Sequence, residues 1–175
     1  LAEMYHLVYR NVYSEMALYT NVASMRTQYI RKRKEYEDRL LGILQPGSKN
    51  YLDFMQQYYI SCDLFDKALE VNAEKLKQVT PDDPQFATEA FYRYLIFKLE
   101  EGDTEEQKYW LARSALCDVR NAIMNQGSLL DLAGILREEG DLERSYRYIR
   151  FTWDCNRQFG TRIRSWQFSP VLSAI

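Results

Sequence analysis

Apolar residues recur at every third or fourth position through most of the chain, with charged and amide side chains between them, a spacing that predicts amphipathic helices. Two such segments run roughly over residues 2–18 and 22–44 and stop at Pro46 and Gly47. The stripe Leu52, Met55 and Tyr59 marks a third helix, a fresh start at residues 65–70 a fourth, and Pro81 and Pro84 close that pair. Phe91, Tyr94 and Leu95 mark the next helix, although Lys98 and Gln107 stand where the pattern asks for apolar and small residues. Residues 160–175 predict a final helix laid over the last pair, with a kink at Pro170.

Three turns share one plan, in which a small or polar residue stops a helix and an acid starts the next. They are Cys62-Asp63-Leu64-Phe65-Asp66, Glu101-Gly102-Asp103-Thr104-Glu105 and Glu139-Gly140-Asp141-Leu142-Glu143. Glycine supplies left-handed C-cap geometry, and aspartate accepts from orphan amides at a helix start. Aligned on Asp63, Gly102 and Gly140, the turns lie 39 and 38 residues apart, slightly more than the ~34-residue tetratricopeptide period. The expected fold is all-α, a right-handed α-α superhelix of tetratricopeptide-like helix hairpins in one domain. Its parts are an N-terminal pair over 1–47, repeats over 49–87, 88–125 and 126–159, and a capping helix over 160–175.

The third repeat carries the packing pattern most clearly. Small residues at Ala133 and Ser145 let two helices approach closely, while Leu129, Leu132, Leu136 and Ile149 are expected to fill the space between them. Ala68, Leu95 and Leu111 take the corresponding packing roles in the earlier repeats. Stacked pairs curve so that the first helix of each lines a concave groove. By spacing, Asp53, Gln57, Tyr92, Ile96, Asp131, Gly134 and Arg137 project into it, and Gly134 beside Ala133 leaves room for a bound backbone or ring.

Composition narrows the class further. Seven Gly and four Pro are too few for the tight turns of a sandwich or barrel, and 46% apolar with 27% charged residues is ordinary globular content. With 23 basic against 25 acidic residues there is no global attraction to phosphate backbones or anionic lipid. No apolar run approaches the ~20 residues of a membrane span. The opening at Leu1 and the stop inside an apolar segment at Ile175 read as a fragment of a longer protein.

The segments Tyr109-Trp110-Leu111-Ala112-Arg113-Ser114-Ala115 and Gly140-Asp141-Leu142-Glu143-Arg144-Ser145-Tyr146-Arg147-Tyr148-Ile149, with Arg162-x-Arg164 and Ser169-x-x-Leu172, resemble the tetratricopeptide-containing regulators of Bacteroides and relatives. The resemblance covers mainly residues 50–175. It implies an extracytoplasmic sensor region, periplasmic and tethered to the inner membrane by a downstream span, in a single-pass transcriptional or signalling regulator. The partner would be a peptide, a protein or a small ligand. The alternative is a general tetratricopeptide interaction scaffold in the cytoplasm.

Catalytic chemistry finds little support. The single histidine, His6, lies in a tyrosine-rich helix with no local Cys-His pair, and no G-x-S-x-G, P-loop or H-E-x-x-H sequence occurs. Cys62, Cys117 and Cys155 are odd in number and lack C-x-x-C spacing, so they are expected to be buried, inert thiols, with no metal and no cofactor. The basic run Ile30-Arg31-Lys32-Arg33-Lys34 is followed by Glu35, Glu37 and Asp38, which suits a solvated face paired at helical spacing. Residues 126–175 hold seven arginines, no lysine and six acids, which suggests interhelical pairing and stacking on Tyr146, Tyr148, Trp153 or Trp166, or else an anion-binding patch. Most of the aromatic residues are expected in the core.

Overall fold

A computed structural model describes residues 1–159; the capping helix expected over 160–175, with Arg162, Arg164, Trp166 and Pro170, lies outside the described residues. The described part is helical: α1 Ala2–Tyr19, α2 Ala23–Ile43, α3 Lys49–Ser61, α4 Phe65–Leu76, α5 Pro84–Leu99, α6 Thr104–Arg120, α7 Gly127–Glu138 and α8 Leu142–Phe159. Where the sequence suggests one repeat domain, the chain divides into two compact units, Leu1–Phe54 and Met55–Ile175, with the boundary inside α3.

In the first unit α1 packs on α2 through rings. Tyr36 stacks on Tyr9 and Tyr13 at 5.4 and 5.7 Å between centroids, and the His6 ring lies 5.7 Å from it. Beneath the rings, the buried Arg10 Nε donates to Glu37 at 3.2 Å, and Arg33 approaches the same carboxylate at 3.3 Å. Lys32 pairs with Glu35 at 2.8 Å. The basic run is thus paired at three- and four-residue spacing, but its Arg33 serves a buried carboxylate and is not simply part of a solvated face.

The second unit is organised by its helix ends. Asp63, Glu101, Ala122 and Gly140 all have positive φ (56°, 56°, 53° and 87°). At each, the following amide donates to the carbonyl five residues back: Leu64 to Tyr59, Gly102 to Phe97, Ile123 to Asp118 and Asp141 to Leu136, at 2.8–2.9 Å. This is the Schellman arrangement, which satisfies carbonyls left over at a helix end. It corrects two expectations. Asp63 is the left-handed stop and not an N-cap, and in the second turn Glu101, not Gly102, takes the left-handed position. Gly102 is favoured for another reason: a Cβ there would stand 3.3 Å from the Phe97 carbonyl oxygen, a tight contact. Asp103 and Asp141 do cap, accepting from Glu105 N at 2.8 Å and Arg144 N at 3.0 Å.

Close helix approach follows small residues. Ser145 Oγ donates to the Ala133 carbonyl at 2.8 Å, with both residues fully buried between α7 and α8. In the α5–α6 pair the equivalent contact lies far from the turn, where Ser114 Oγ donates to the Ala87 carbonyl at 2.8 Å and meets Ser128 Oγ at 2.7 Å. Leu130, Ala133 and Ile149 fill the α7–α8 interface. Leu129, Leu132 and Leu136 turn instead to the preceding pair, packing with Tyr94, Leu111 and Ala115. A helix inside a stack has a neighbour on either side, so α7 carries two apolar faces, and the sequence reading merges them.

Ala68, Leu111, Leu136 and Ile149 are buried as expected of packing residues. The aromatic residues depart from expectation: Tyr94, Phe54 and Phe86 are buried, whereas Tyr5, Tyr9, Tyr19, Tyr109, Tyr146, Phe151 and Trp153 are exposed. Cys62 is also exposed, while Cys117 and Cys155 are buried and burial raises both of their thiols, which keeps them protonated and unreactive. Among the described residues, Arg144 pairs with Asp141 at the helix cap and Arg147 lies 3.9 Å from Glu143 along α8. Guanidinium stacking gathers elsewhere, with Arg93 and Arg113 on the Trp110 ring at 4.9 and 5.4 Å.

Candidate functional site: a groove bounded by α5, α6 and α7

The first wall of the groove is α5. Its start is fixed by Asp83, which accepts from Gln85 N at 2.8 Å, and by Pro84 at the first helical position. The end of α6 is tied to that start, because Cys117 Sγ donates to the Asp83 carbonyl at 3.2 Å and Asn121 Nδ2 to the Asp82 carbonyl at 3.2 Å. The left-handed Ala122 then turns the chain sharply, and Gln126 Nε2 donates to the Ile123 carbonyl to hold the connection. The chain re-enters a helix at Gly127 with no side-chain cap on α7.

These constraints leave a groove of about 470 Å³. Phe91, Tyr92 and Leu95 of α5 supply an apolar wall, Ile123 lies opposite, and Thr88, Ser114, Asn125 and Ser128 add polar groups. Asp118 of α6 also lines it. Asp118 is 8% exposed as a residue, and burial pushes its pKa up to about 6. Among the described residues no hydrogen bond or ion pair reaches it.

Behind the α5 wall lies a buried polar network. Lys75 Nζ lies 2.7 Å from both Gln56 Oε1 and Glu89 Oε2, Gln85 Nε2 donates to Glu89 Oε1 at 2.7 Å, and Asn72 Nδ2 donates to the Glu89 carbonyl at 2.9 Å. The Lys75 ammonium also sits 5.6 Å from the centre of the Tyr92 ring, so a groove side chain rests on the network. Removing Lys75 or Glu89 alone leaves the other charge buried without its partner, which ties α4 to α5.

Of the residues assigned by spacing, Tyr92 lines this groove, and so does Leu95, assigned to packing, with its other side against the core. Ile96 is fully buried and presents no surface; the helix turns it inward between Tyr92 and the next exposed row. Asp131 acts on the Tyr94–Lys98 pair, in which burial raises the phenol and the hydrogen bond that Lys98 donates to Tyr94 raises the lysine. Gly134 has nothing within 4 Å of where a Cβ would stand, and Arg137 lies 3.9 Å from Glu138. Gln57 is half-buried on α3, and Asp53 belongs to the first unit. Asp118 escapes pattern reading, yet it leaves a trace. It is an acid in the last turn of a helix, where the negative end of the dipole disfavours it.

Among the described residues no three His, Cys, Asp or Glu side chains gather as a metal site, and no helix is long and apolar enough to cross a membrane. The sequence matches the family described as the SusR N-terminal TPR domain over residues 1–170. No curated protein and no solved structure matches the chain.

Proposed function

The chain belongs to the SusR N-terminal TPR domain family, and from that premise we propose that it is the extracytoplasmic, ligand- or partner-sensing part of a single-pass regulator. Tetratricopeptide domains of this kind are interaction scaffolds that bind proteins or peptides. The observation that carries the reading is the groove on α5, where Tyr92 and Leu95 offer an apolar wall beside the polar edge of Thr88, Asn125 and Ser128. Its work is binding, not catalysis: among the described residues that line it there is one carboxyl group, Asp118, with no second acid and no histidine to form an acid–base pair. The resemblance to the Bacteroides regulators supports a periplasmic location and a membrane tether.

Two measurements test this. Binding of the purified chain to an immobilised peptide array, repeated with Tyr92→Ala and with Thr88→Trp, tests the groove. Thr88 is exposed, so the tryptophan fills the groove without entering the core. Loss of the bound set in both variants is the expected result, and unchanged binding in both removes the groove from the proposal. Reading the full-length gene tests the topology: a secretion signal and a downstream apolar span are expected, and finding neither returns the chain to a cytoplasmic scaffold.

A further inference from the structure

Resting on the groove reading above, we infer that the occupant is a peptide segment that inserts a basic side chain, lysine or arginine, to pair with Asp118. Two independent features point there. Asp118 is 8% exposed as a residue, lines the groove with its carboxyl group open to groove solvent, and has no hydrogen-bond or ion-pair partner among the described residues, although acids in largely buried positions are ordinarily paired or hydrogen-bonded. It also stands in the last turn of α6, where the helix dipole opposes its charge. The fold therefore tolerates an acid at a place that disfavours it twice, and the charge missing from this place is a cation.

The rest of the groove fits such a segment and selects among cations. Phe91, Tyr92 and Leu95 flank the approach, so the methylene stem of a lysine or arginine would lie on apolar surface while its head reaches the carboxylate. The first turn of α7 meets the groove at Gly127 and Ser128 and has no side-chain cap, so a peptide carbonyl would be a suitable acceptor at that end. A free small amine would use the carboxylate but neither that end nor the length of the wall. The basic groups nearest in sequence are engaged elsewhere: Arg113 lies over Phe86, Tyr109 and Trp110, and Arg120 reaches Asp82 at 3.5 Å.

The test is calorimetric titration of the chain with capped hexapeptides that carry lysine, arginine, norleucine or glutamate between two aromatic residues, and with n-butylammonium alone. The lysine and arginine peptides are expected to bind at least about tenfold more tightly than the norleucine peptide. In Asp118→Asn that preference is expected to disappear. Tyr92→Ala, which keeps the carboxylate, is expected to weaken all binding peptides together. Equal affinity for lysine and norleucine peptides, or a preference that survives in Asp118→Asn, overturns the role of Asp118 and leaves the groove standing. Binding of n-butylammonium as tight as that of the lysine peptide overturns the peptide occupant. Peptide binding that ignores Tyr92→Ala overturns the groove itself and this inference with it.

Discussion

Glu101 and Ala122 hold left-handed backbone, a conformation that costs an ordinary L-residue about 1–2 kcal/mol and costs glycine almost nothing. Glycine's greater freedom in the unfolded chain takes back part of that gain. Glu101→Gly is therefore expected to stabilise the fold by roughly 0.5–1 kcal/mol, whereas Gly140→Ala destabilises it by about 1 kcal/mol, both read from urea denaturation midpoints. Asp118 makes a different prediction. Its folded pKa of about 6 lies above the unfolded value of about 3.9, so between them the folded state binds more protons than the unfolded state. Its contribution to stability is greatest below about pH 4, falls as pH rises through about 6 and is flat above. Solvent in the groove screens the charge, so a loss of about 1–2 kcal/mol is expected across that window. Asp118→Asn removes the loss, and the difference between wild type and variant, measured by denaturation at several pH values, should vanish in acid and grow towards neutrality.

At the scale of the helix, close packing and buried charge make separable demands. Ser145 is small enough for α8 to lie against the Ala133 carbonyl. Ser145→Ala loses one hydrogen bond and should cost about 1 kcal/mol, while Ser145→Leu forces the helices apart and should cost at least 2–3 kcal/mol. The α4–α5 contact depends instead on Lys75 and Glu89. Lys75→Met leaves the Glu89 carboxylate buried without its cation and should cost about 3–5 kcal/mol, of which the double variant Lys75→Met/Glu89→Gln should recover a large part. Thermal melts of the four proteins in that cycle measure the coupling. Neither feature stands out equally in the sequence. The Ala133 and Ser145 pair is visible as small residues flanking a turn, but Lys75, Gln56 and Glu89 look like surface residues until α3, α4 and α5 are brought together.

For the whole chain, the division at Phe54 and Met55 makes a prediction about cooperativity. Leu111 lies fully buried in the cluster that joins α5, α6 and α7. Leu111→Ala should cost about 2–5 kcal/mol, and hydrogen exchange should rise through α5, α6 and α7 before it rises in α1 and α2. Equal acceleration in both regions would show that the two compact units unfold as one. The sequence by itself determined the helical class, the turns and the small-residue contact in the last repeat, because periodicity, capping and helix approach are written in neighbouring residues. It also led to the family, through short contiguous segments such as residues 109–115 and 140–149. Only the tertiary structure decided which side of α7 each leucine faces, that Ile96 is buried, and that Tyr92 and Asp118 line one groove. Those facts depend on how non-adjacent helices pack, and burial of an acid has no signature in a sequence beyond its awkward place at a helix end.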